Sequence, residues 1–387
     1  LRRWFHQHPE LSNREEQTAA KVVEHLRALG LKPRTGIAQT GVTGLIRGGK
    51  GAGKTVLLRA DMDALPILEE NEVDYVSQSP GVMHACGHDA HTATLLGVAD
   101  ALVAMGDELP GQVMLVFQPS EEGAPTGEEG GASLMIEDGL FADFKPEAMF
   151  GLHVFSSLPA GTIGVRGGPL MAASDKFTIT VNGRQTHGSA PWGGIDPIVT
   201  AADIIGSAQT IVSRNTNIAK LPAVVSFGSV HGGIRYNIIP DSVELVGTIR
   251  TFDEGMRTKI HGELDNIARH VAAAHGATVE TDIPVGTGNP VTVNDPDLTA
   301  KMLPSLRAVA GVEHVIEPPL QMGAEDFAYY AKEVPSMFFF VGATAPGIDP
   351  ATAPSNHSPK FSLDESSLDL GLRALLQVSL DYLHGVP

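Results

Sequence analysis

The chain has 387 residues, 42% of them hydrophobic and 19% charged, a composition typical of a globular protein with room for two domains. Its 27 Lys and Arg residues against 45 Asp and Glu residues give a formal charge of −18, which argues against nucleic acid as a partner. No apolar run is long enough to span a bilayer, so no membrane partner is expected either.

The N-terminal part of the chain predicts a helix followed by two strands. Ser12 with Glu15 has the pattern of a capping box at the start of that helix. Residues 42–46 and 55–60 are predicted strands, joined by a glycine-rich turn whose pattern G-x-x-x-x-G-K-T matches a phosphate-binding loop. We interpret the match as accidental, because a phosphate-binding loop opens a helix, whereas Thr55 begins a second strand.

Three predicted strands are each followed by side chains that can bind a cation. Residues 55–60 lead into Asp61 and Asp63, residues 113–117 precede Glu121 and Glu122, and residues 148–152 lead into His153. In open α/β sheets the functional site lies at the carboxyl ends of the strands. The repeated placement therefore predicts a site at this edge of the sheet.

The segment from His84 to His91 holds three imidazoles, one carboxylate and the only cysteine, Cys86, in eight positions. Each of these groups is costly to bury alone, and a divalent metal ion satisfies most of them at once. Thiolate and imidazole favour zinc, while added carboxylates extend the choice to manganese, cobalt or nickel. Adjacent Glu121 and Glu122 diverge, so one can bind an ion while the other takes a proton from water.

The pattern of predicted elements changes near Asp175. Residues 177–283 have the order β-α-β-β-α-β, which is that of a ferredoxin-like sandwich. We predict an inserted α+β domain at 175–286 and a catalytic domain formed by 1–174 and 287–387. The predicted fold class is α/β, with a mainly parallel central sheet flanked by helices in the catalytic domain.

Several segments together resemble the aminoacylase/carboxypeptidase family of di-metal hydrolases. The resemblance is closest to hippurate hydrolases, bacterial N-acyl-amino-acid amidohydrolases and plant hydrolases of auxin–amino-acid conjugates, and it extends over essentially the whole chain. The segments that carry it, in the family's order, are residues 61–66, 84–91, 118–131, 151–153, 185–191, 236–240, 323–327 and 356–359.

The resemblance implies a site for two divalent ions and a role for each residue around them. Cys86 would bridge the ions, and Glu121 would be the general base and later the proton donor to the leaving amine. The resemblance further implies that one ion is bound by His88 and Glu122 and the other by His153 and His357.

Two positions depart from the pattern of the wider family and agree with that of the subgroup. Asp61 stands where the wider family has an imidazole, and Cys86 replaces the usual bridging aspartate. The role of Asp61 therefore stays open. Asp63 is expected to support a metal ligand without binding the metal itself.

The resemblance also assigns roles within the inserted domain. His187 matches the imidazole that reaches the partner subunit's site and stabilises the oxyanion, and Asn237 and Arg250 match positions that hold the substrate carboxylate. A turn residue is the alternative for Asn237, and a surface salt bridge is the alternative for Arg250. The family further implies that the inserted domain acts as a lid and forms a homodimer or a higher oligomer.

The predicted activity is hydrolysis of the amide bond of N-acyl amino acids, either hippurate-like or N-acetylated. A dipeptidase or carboxypeptidase with the same site is the nearest alternative. Two further alternatives are a catalytically silent metal-binding scaffold and an amidase with Cys86 as nucleophile. The default location is the cytoplasm, and export is possible if a signal preceding Leu1 was removed.

Overall fold

The computed structural model describes residues 1–51, 53–142 and 144–385. The chain forms two compact units, the first made of Leu1–Gly168, Val293–Pro319 and Asp326–Pro387. The second is made of Pro169–Thr292 with the short segment Leu320–Glu325. Among the described residues, no helix is both long enough and apolar enough to cross a bilayer.

The elements up to β7, where the second unit begins at Pro169, are mostly strands with four α-helices among them. The helices are α1 (Arg2–Gln7), α2 (Glu16–Ala28), α3 (His88–Met105) and α4 (Gly131–Glu137). The strands are β1 (Arg34–Ile37), β2 (Gly41–Arg47), β3 (Thr55–Asp61), β4 (Gln112–Gln118), β5 (Ala148–Pro159), β6 (Ile163–Gly164) and β7 (Gly168–Met171).

The remaining elements belong to the second unit and to the return of the chain into the first. They begin with β8 (Ala173–Asn182), β9 (Thr186–His187), α5 (Pro197–Thr210), β10 (Ala223–Gly232), β11 (Ile238–Ile239), β12 (Ser242–Thr251), α6 (Glu254–Ala274) and β13 (Thr278–Asp282). After these come β14 (Thr292–Asn294), α7 (Pro296–Ala310), β15 (Val315–Ile316), α8 (Phe327–Glu333), β16 (Ser336–Thr344) and α9 (Ser366–His384).

An eight-stranded sheet organises the first unit, in the order β1-β2-β4-β3-β5-β16-β6-β15. Its four central strands, β4, β3, β5 and β16, run parallel. Every residue of β16 is buried because helices cover both faces: Phe339 belongs to the core shared with α3 and α9, while the Phe338 ring lies 4.8 Å from Phe327 of α8. The predicted α/β class with a mainly parallel sheet is confirmed.

One predicted boundary in the first unit was wrong. The segment from His84 to His91 divides at the start of α3, where His88–His91 form the first turn. The strand expected to end before His153 continues to Pro159, because its second half pairs with β16. Thr55 begins a strand, and the Lys54 ammonium donates to the carbonyl of Tyr382, which leaves the glycine-rich turn as a plain connection. Ala52 of that turn lies outside the described residues.

The second unit contains an antiparallel sheet in the order β10-β12-β8-β13. Burial alternates along β8, and its inward residues, such as Phe177, share a core with Ile204 of α5 and Leu264 of α6. The completely buried carboxylate of Asp175 accepts two hydrogen bonds from Arg257, at 2.7 and 2.8 Å. The imidazole of His261 lies 2.8 Å from the same carboxylate, which makes this cluster a buried polar support for α6.

Candidate active site

Four side chains from separate parts of the first unit lie around the thiol of Cys86. Its Sγ lies 3.3 Å from His153 Nε2 and 3.2 Å from His357 Nε2. Glu122 Oε1 lies 3.2 Å from His357 Nε2 and 3.8 Å from His88 Nε2. The predicted ligands therefore converge, although they come from the turn before α3, the loop after β4, the strand β5 and the loop before α9.

Backbone conformations that residues seldom adopt bring these ligands together. Gly87 has φ +96°, and a Cβ there would lie 2.3 Å from Val154 Cγ2, so only glycine fits between Cys86 and His88. His357 has φ +69°, unusual for a residue with a Cβ, and its N–H donates to the carbonyl of Ala85 at 2.8 Å. The first turn of α3 and the loop before α9 are thus fixed against each other.

In His153 and His88 the protein engages ring nitrogen Nδ1, which leaves Nε2 facing the other predicted ligands. His153 Nδ1 donates to the carbonyl of Val154 at 2.7 Å, so in the neutral ring Nε2 is unprotonated towards Cys86. His88 Nδ1 lies 3.3 Å from Asp63 Oδ1, and within the described residues its buried Nε2 has no hydrogen-bond partner. Both imidazoles are oriented as metal ligands are, with the second nitrogen held by the protein.

The residues present fit a divalent metal. Buried Glu122 Oε1 makes no well-aligned hydrogen bond within the described residues, although it lies 3.2 Å from His357 Nε2. A buried carboxylate oxygen so placed near an unpartnered imidazole nitrogen of His88 suits a bound cation. Two sets of possible ligands share Cys86, and within each set the ligand atoms lie within 4.8 Å of one another: Cys86, His88 and His153 in one, and Cys86, Glu122 and His357 in the other.

The thiol of Cys86 is poorly placed to act as a nucleophile on its own. Burial, followed by the nearby carboxylates of Glu122 and Glu121, raises the pKa of Cys86 well above its ordinary value. Catalytic cysteines have the opposite shift, because a thiolate is the reactive form. Holding Cys86 as a thiolate in this place needs a cation among the carboxylates.

Asp63 supports both the metal-ligand segment and the loop after β4. Its Oδ1 accepts from His88 Nδ1 at 3.3 Å and from the backbone N–H of Glu121 at 3.1 Å. Its Oδ2 accepts from the N–H of Glu122 at 3.0 Å and from the hydroxyl of Ser12 at 2.8 Å. Although burial opposes the shift, these donors lower the pKa of Asp63, so the carboxylate is ionised around neutral pH.

Asp61 lies at the end of β3 and is paired with an imidazole and a guanidinium of the protein. Its Oδ1 accepts from His91 Nδ1 and its Oδ2 from Arg59, both at 2.6 Å. His91 Nε2 in turn accepts from the N–H of Val154 at 2.9 Å, so both nitrogens of that ring are engaged. Asp61 Oδ2 also lies 3.8 Å from His88 Nε2, and this contact places the Arg59–Asp61 pair directly behind a predicted ligand.

Comparison with known proteins decides the family. The profile of "Peptidase family M20/M25/M40" matches residues 57–381 of this chain. The chain belongs to this family.

Relatives of this M20 chain carry several names. "Thermostable carboxypeptidase 2" of Saccharolobus solfataricus is 41% identical over 375 residues, which cover 97% of this chain and 92% of the relative. "N-acetyl-L-cysteine deacetylase" of Bacillus subtilis is 37% identical, with 95% of this chain and 84% of the relative covered. "IAA-amino acid hydrolase ILR1-like 4" of Arabidopsis thaliana is 37% identical, with 99% and 85% covered.

Solved structures of similar chains agree with the M20 assignment. A protein from methicillin-resistant Staphylococcus aureus has a TM-score of 0.90 at 35% identity, covering 99% of this chain and 95% of that one. The YXEP protein of Bacillus subtilis, described as a dinuclear metal binding peptidase from M20 family, has a TM-score of 0.82 at 33% identity, covering 100% and 97%. The M20 chain is thus a metal-dependent hydrolytic enzyme, an amidohydrolase or peptidase.

We predict that Asp63→Asn weakens both the fold and metal binding of this M20 enzyme. The Asp63 carboxylate accepts four hydrogen bonds, two on each oxygen. In asparagine an NH₂ group replaces one oxygen, so its N–H groups would face two of those four donors. The free energy of unfolding should fall by about 3 kcal/mol or more. Metal affinity should fall about 10- to 100-fold because His88 loses its support. Urea unfolding and titration with Zn²⁺ measure the two effects.

Asp175→Asn is the matched control, because it changes an equally buried carboxylate in the second unit. It should lower stability and leave metal affinity within about twofold, because among the described residues the Asp175 carboxylate makes no hydrogen bond or ion pair with the predicted ligands. An equal loss of metal affinity in both variants would contradict the supporting role of Asp63.

The three candidates of the second unit have side chains compatible with their predicted roles. His187 is exposed in β9, and its Nδ1 accepts from the N–H and hydroxyl of Ser189 at 3.1 and 2.7 Å, which places the proton of the neutral ring on Nε2. Asn237 Oδ1 is buried without a hydrogen-bond partner in the described part of the chain. Within the described residues, the hydrogen bond found for the Arg250 side chain goes to the carbonyl of Met322 at 3.5 Å. Their roles stay predictions.

Sequence reasoning missed the N-terminal contacts of the site. The expected capping box is wrong: α2 begins at Glu16, Ser12 bonds to Asp63, and the side chain of Glu15 makes no cap hydrogen bond. Instead, Glu15 Oε1 accepts from the backbone N–H of Ser120, 105 residues away. Asn356 was missed as well, and its amide donates to the carbonyls of Cys86 and Val154, both at 3.1 Å. The adjacency of Asn356 to a predicted ligand was the only available signal.

Proposed function

We propose that this enzyme hydrolyses the amide bond of N-acyl amino acids at a site for two divalent metal ions. The observation that carries the proposal is the pair of ligand sets that share Cys86 and lie beside an additional carboxylate, Glu121. When bound, the ions act as Lewis acids, which polarise the substrate carbonyl and make water more acidic. Zinc, manganese, cobalt and nickel all suit this mixture of sulfur, nitrogen and oxygen ligands.

We assign the five ligands as the family resemblance implies. Cys86 is shared, because its Sγ is the one atom common to both sets of ligands. His88 and Glu122 serve one ion, and this pairing is supported by a further set in which ligand atoms of His88, Glu121 and Glu122 lie within 4.8 Å of one another. The two sets around Cys86 divide differently, with His88 beside His153 and Glu122 beside His357, so the assignment follows the resemblance. His153 and His357 serve the other, supported by the contacts of both Nε2 atoms with Sγ at 3.3 and 3.2 Å.

Glu121 is the general base of the proposed reaction. Its side chain is only 8% exposed, and its Oε2 lies 3.8 Å from His88 Nε2, beside the ligands. The backbone N–H of Glu121 donates to Asp63, which fixes the backbone position from which the Glu121 carboxylate projects. Glu121 takes a proton from the attacking water and later delivers it to the leaving amine.

Residues of the second unit complete the proposed chemistry. His187 donates from Nε2 to the oxyanion that forms in the partner subunit's site, a role consistent with the proton position that Ser189 imposes. Asn237 and Arg250 bind the substrate carboxylate, Arg250 through the two-pronged geometry that guanidinium offers. Burial lowers the pKa of Arg250, but the guanidinium remains charged near neutral pH.

We further propose that residues 175–286 form a ferredoxin-like lid and dimerisation domain, inserted into a catalytic domain of residues 1–174 and 287–387. The element order β8-α5-β10-β12-α6-β13 and the sheet order β10-β12-β8-β13 support the ferredoxin-like assignment. Exposed apolar side chains support a homodimer, since monomers seldom expose so many on one unit: Trp192, Ile198, Val199, Ile234 and Tyr236.

The substrate class follows from the proposed carboxylate site and from relatives named for N-acetyl-L-cysteine and for IAA–amino acid conjugates. The metal-loaded enzyme should hydrolyse N-acetyl amino acids or hippurate with a kcat/KM at least about tenfold above that for free dipeptides. N-acetyl amino acid amides are the matched control: without a carboxylate they should react poorly. Faster turnover of dipeptides would favour the peptidase alternative, which the relative named a carboxypeptidase supports.

A further inference from the structure

Two buried carboxylates hold the loop that carries the proposed base. The backbone N–H groups of three successive residues, Ser120, Glu121 and Glu122, all point at carboxylate oxygens. The last two donate to Asp63, at 3.1 and 3.0 Å, whereas Ser120 donates to Glu15 at 2.9 Å. Glu15 thus fixes the residue directly before the base, and Asp63 fixes the base itself.

Ser120, whose N–H donates to Glu15, has a backbone conformation that serine seldom adopts. Ser120 has φ +58° and is 2% exposed. A non-glycine residue in this left-handed region costs about 1 kcal/mol or more, so surrounding contacts must maintain it. The N–H bond to Glu15 is such a contact, and it determines the direction in which the chain leaves β4 towards Glu121.

Glu15 is completely buried, and both oxygens of its carboxylate accept hydrogen bonds. Its other oxygen accepts from the hydroxyl of Thr40 at 2.7 Å, so the carboxylate ties the catalytic loop to the turn between β1 and β2. Burial, and then the neighbouring Asp63 carboxylate, raise the pKa of Glu15 to about 7. A group that is expensive to keep in this place and serves no helix cap points to a function in the loop.

The same N-terminal segment makes a second contact with the loop. Asn13 donates through Nδ2 to the carbonyl of Glu129 at 3.0 Å and to the side chain of Glu128 at 3.1 Å. Both ends of the loop from β4 to α4 are therefore held by residues 13–15. These residues lie outside the part of the chain that the family profile matches, residues 57–381.

We infer that Glu15 is a positioning residue for the reaction: it maintains the Ser120 turn and so sets the place of the Glu121 carboxylate. This inference rests on the proposed role of Glu121 as the base. In the described part of the chain, the Glu15 carboxylate accepts hydrogen bonds from the Ser120 N–H and the Thr40 hydroxyl and from none of the proposed metal ligands, so it acts through the backbone of Ser120. A displacement of about 1 Å at a general base costs about 100-fold in rate, which sets the scale of the expected effect.

The test compares Glu15→Ala with Glu15→Gln in the full-length, metal-loaded enzyme. Glutamine keeps an acceptor for the Ser120 N–H and lets its amide face the Thr40 hydroxyl, whereas alanine removes both contacts. Glu10→Ala is the matched control, because the Glu10 carboxylate accepts from the backbone of Gln17 and Thr18 in α2 and makes no contact with the loop among the described residues. The kcat and KM for hippurate and metal content per chain are measured together with amide hydrogen exchange of residues 118–123.

The expected result separates positioning from general support of the fold. Glu15→Ala should lower kcat about 30- to 100-fold with KM and metal content within about threefold, and should speed amide exchange at 118–123 at least about tenfold. Glu15→Gln should stay within about fivefold of the wild type in both measurements. Glu10→Ala should change neither kcat nor exchange at the loop.

Several outcomes would overturn the inference. If amide exchange at residues 118–123 is unchanged in Glu15→Ala, the inference is wrong. This result needs no turnover, so it holds whether or not the wild type hydrolyses an N-acyl substrate. Activity loss proportional to lost metal would reduce Glu15 to a structural role. If Glu15→Ala does not fold, Glu15→Asp, which shortens the reach by one methylene, replaces it with the same expected direction. The proposed function fails separately, when the wild type hydrolyses none of the N-acyl substrates.

Discussion

Glu121→Gln is expected to lower kcat for N-acyl amino acids on the order of 10²- to 10⁴-fold while metal content stays that of the wild type. The amide fills the same space but cannot take a proton from water. The Asp63 contact with the backbone of residue 121 does not involve the side chain, so the loop should keep its conformation. Steady-state kinetics and metal analysis of the purified variant measure the two expectations.

Glu129→Gln provides the control in the same loop. Among the described residues, the Glu129 carboxylate makes no hydrogen bond to the predicted site, and the Glu129 carbonyl accepts from Asn13 and Gln39. Its kcat should stay within about twofold of the wild type. Unchanged turnover in Glu121→Gln would remove the assigned base.

Removal of metal should abolish activity, and substitutions of Cys86 should show whether that residue acts as a metal ligand or as a nucleophile. Chelation should lower turnover at least about 100-fold, and added Zn²⁺ or Mn²⁺ should restore it. Cys86→Ala should lose both metal and activity, because both sets of ligands share Sγ. Cys86→Asp should retain metal and part of the activity, since the wider family has a bridging aspartate at this position.

An amidase with Cys86 as nucleophile predicts the opposite pattern. It would be indifferent to the chelator, and Cys86→Asp would be as inactive as Cys86→Ala. Metal content measured alongside activity distinguishes the two accounts. Retained activity after complete removal of metal would contradict the role given to Cys86 here.

The sequence predicts the sheet and the ligands because both depend on local pattern. Apolar runs such as residues 113–117 and 337–341 are buried on both faces in a parallel sheet, and their positions are evident from composition alone. Because parallel strands end at one edge, the polar residues after them converge without further information. The imidazoles and thiol of the segment around Cys86 are recognisable because nothing in a core requires them.

The supports of the site could not be predicted in the same way. The contact between Glu15 and Ser120 joins residues 105 positions apart, and the local pattern around Glu15 resembles a helix cap that does not form. The left-handed conformations of Ser120 and His357 occur in residues other than glycine, so no residue type signals them. Tertiary contacts select these conformations, and a single sequence does not display tertiary contacts.

Buried Arg59 shows the same limit for charged residues. It donates to Asp61, to Gln118 at 2.8 Å and to Asp326 at 2.9 Å, so it ties the ends of β3 and β4 to the residue before α8. In sequence, Arg59 is a charge within an apolar strand, which favours an outward position. Three acceptors, two of them from distant parts of the chain, make its burial favourable. Although burial opposes the shift, the nearby imidazoles of His88 and His91, and then Arg59, lower the pKa of Asp61 well below its ordinary value.

The most direct test is a crystal structure of the zinc-loaded enzyme with data collected on both sides of the zinc absorption edge. The account predicts two anomalous peaks in the first unit, with Cys86 Sγ about 2.3 Å from both and His88 and His153 at about 2.1 Å from different ions. Glu121 should bind neither ion. A single ion, or two ions bound away from Cys86 and His88, would contradict it.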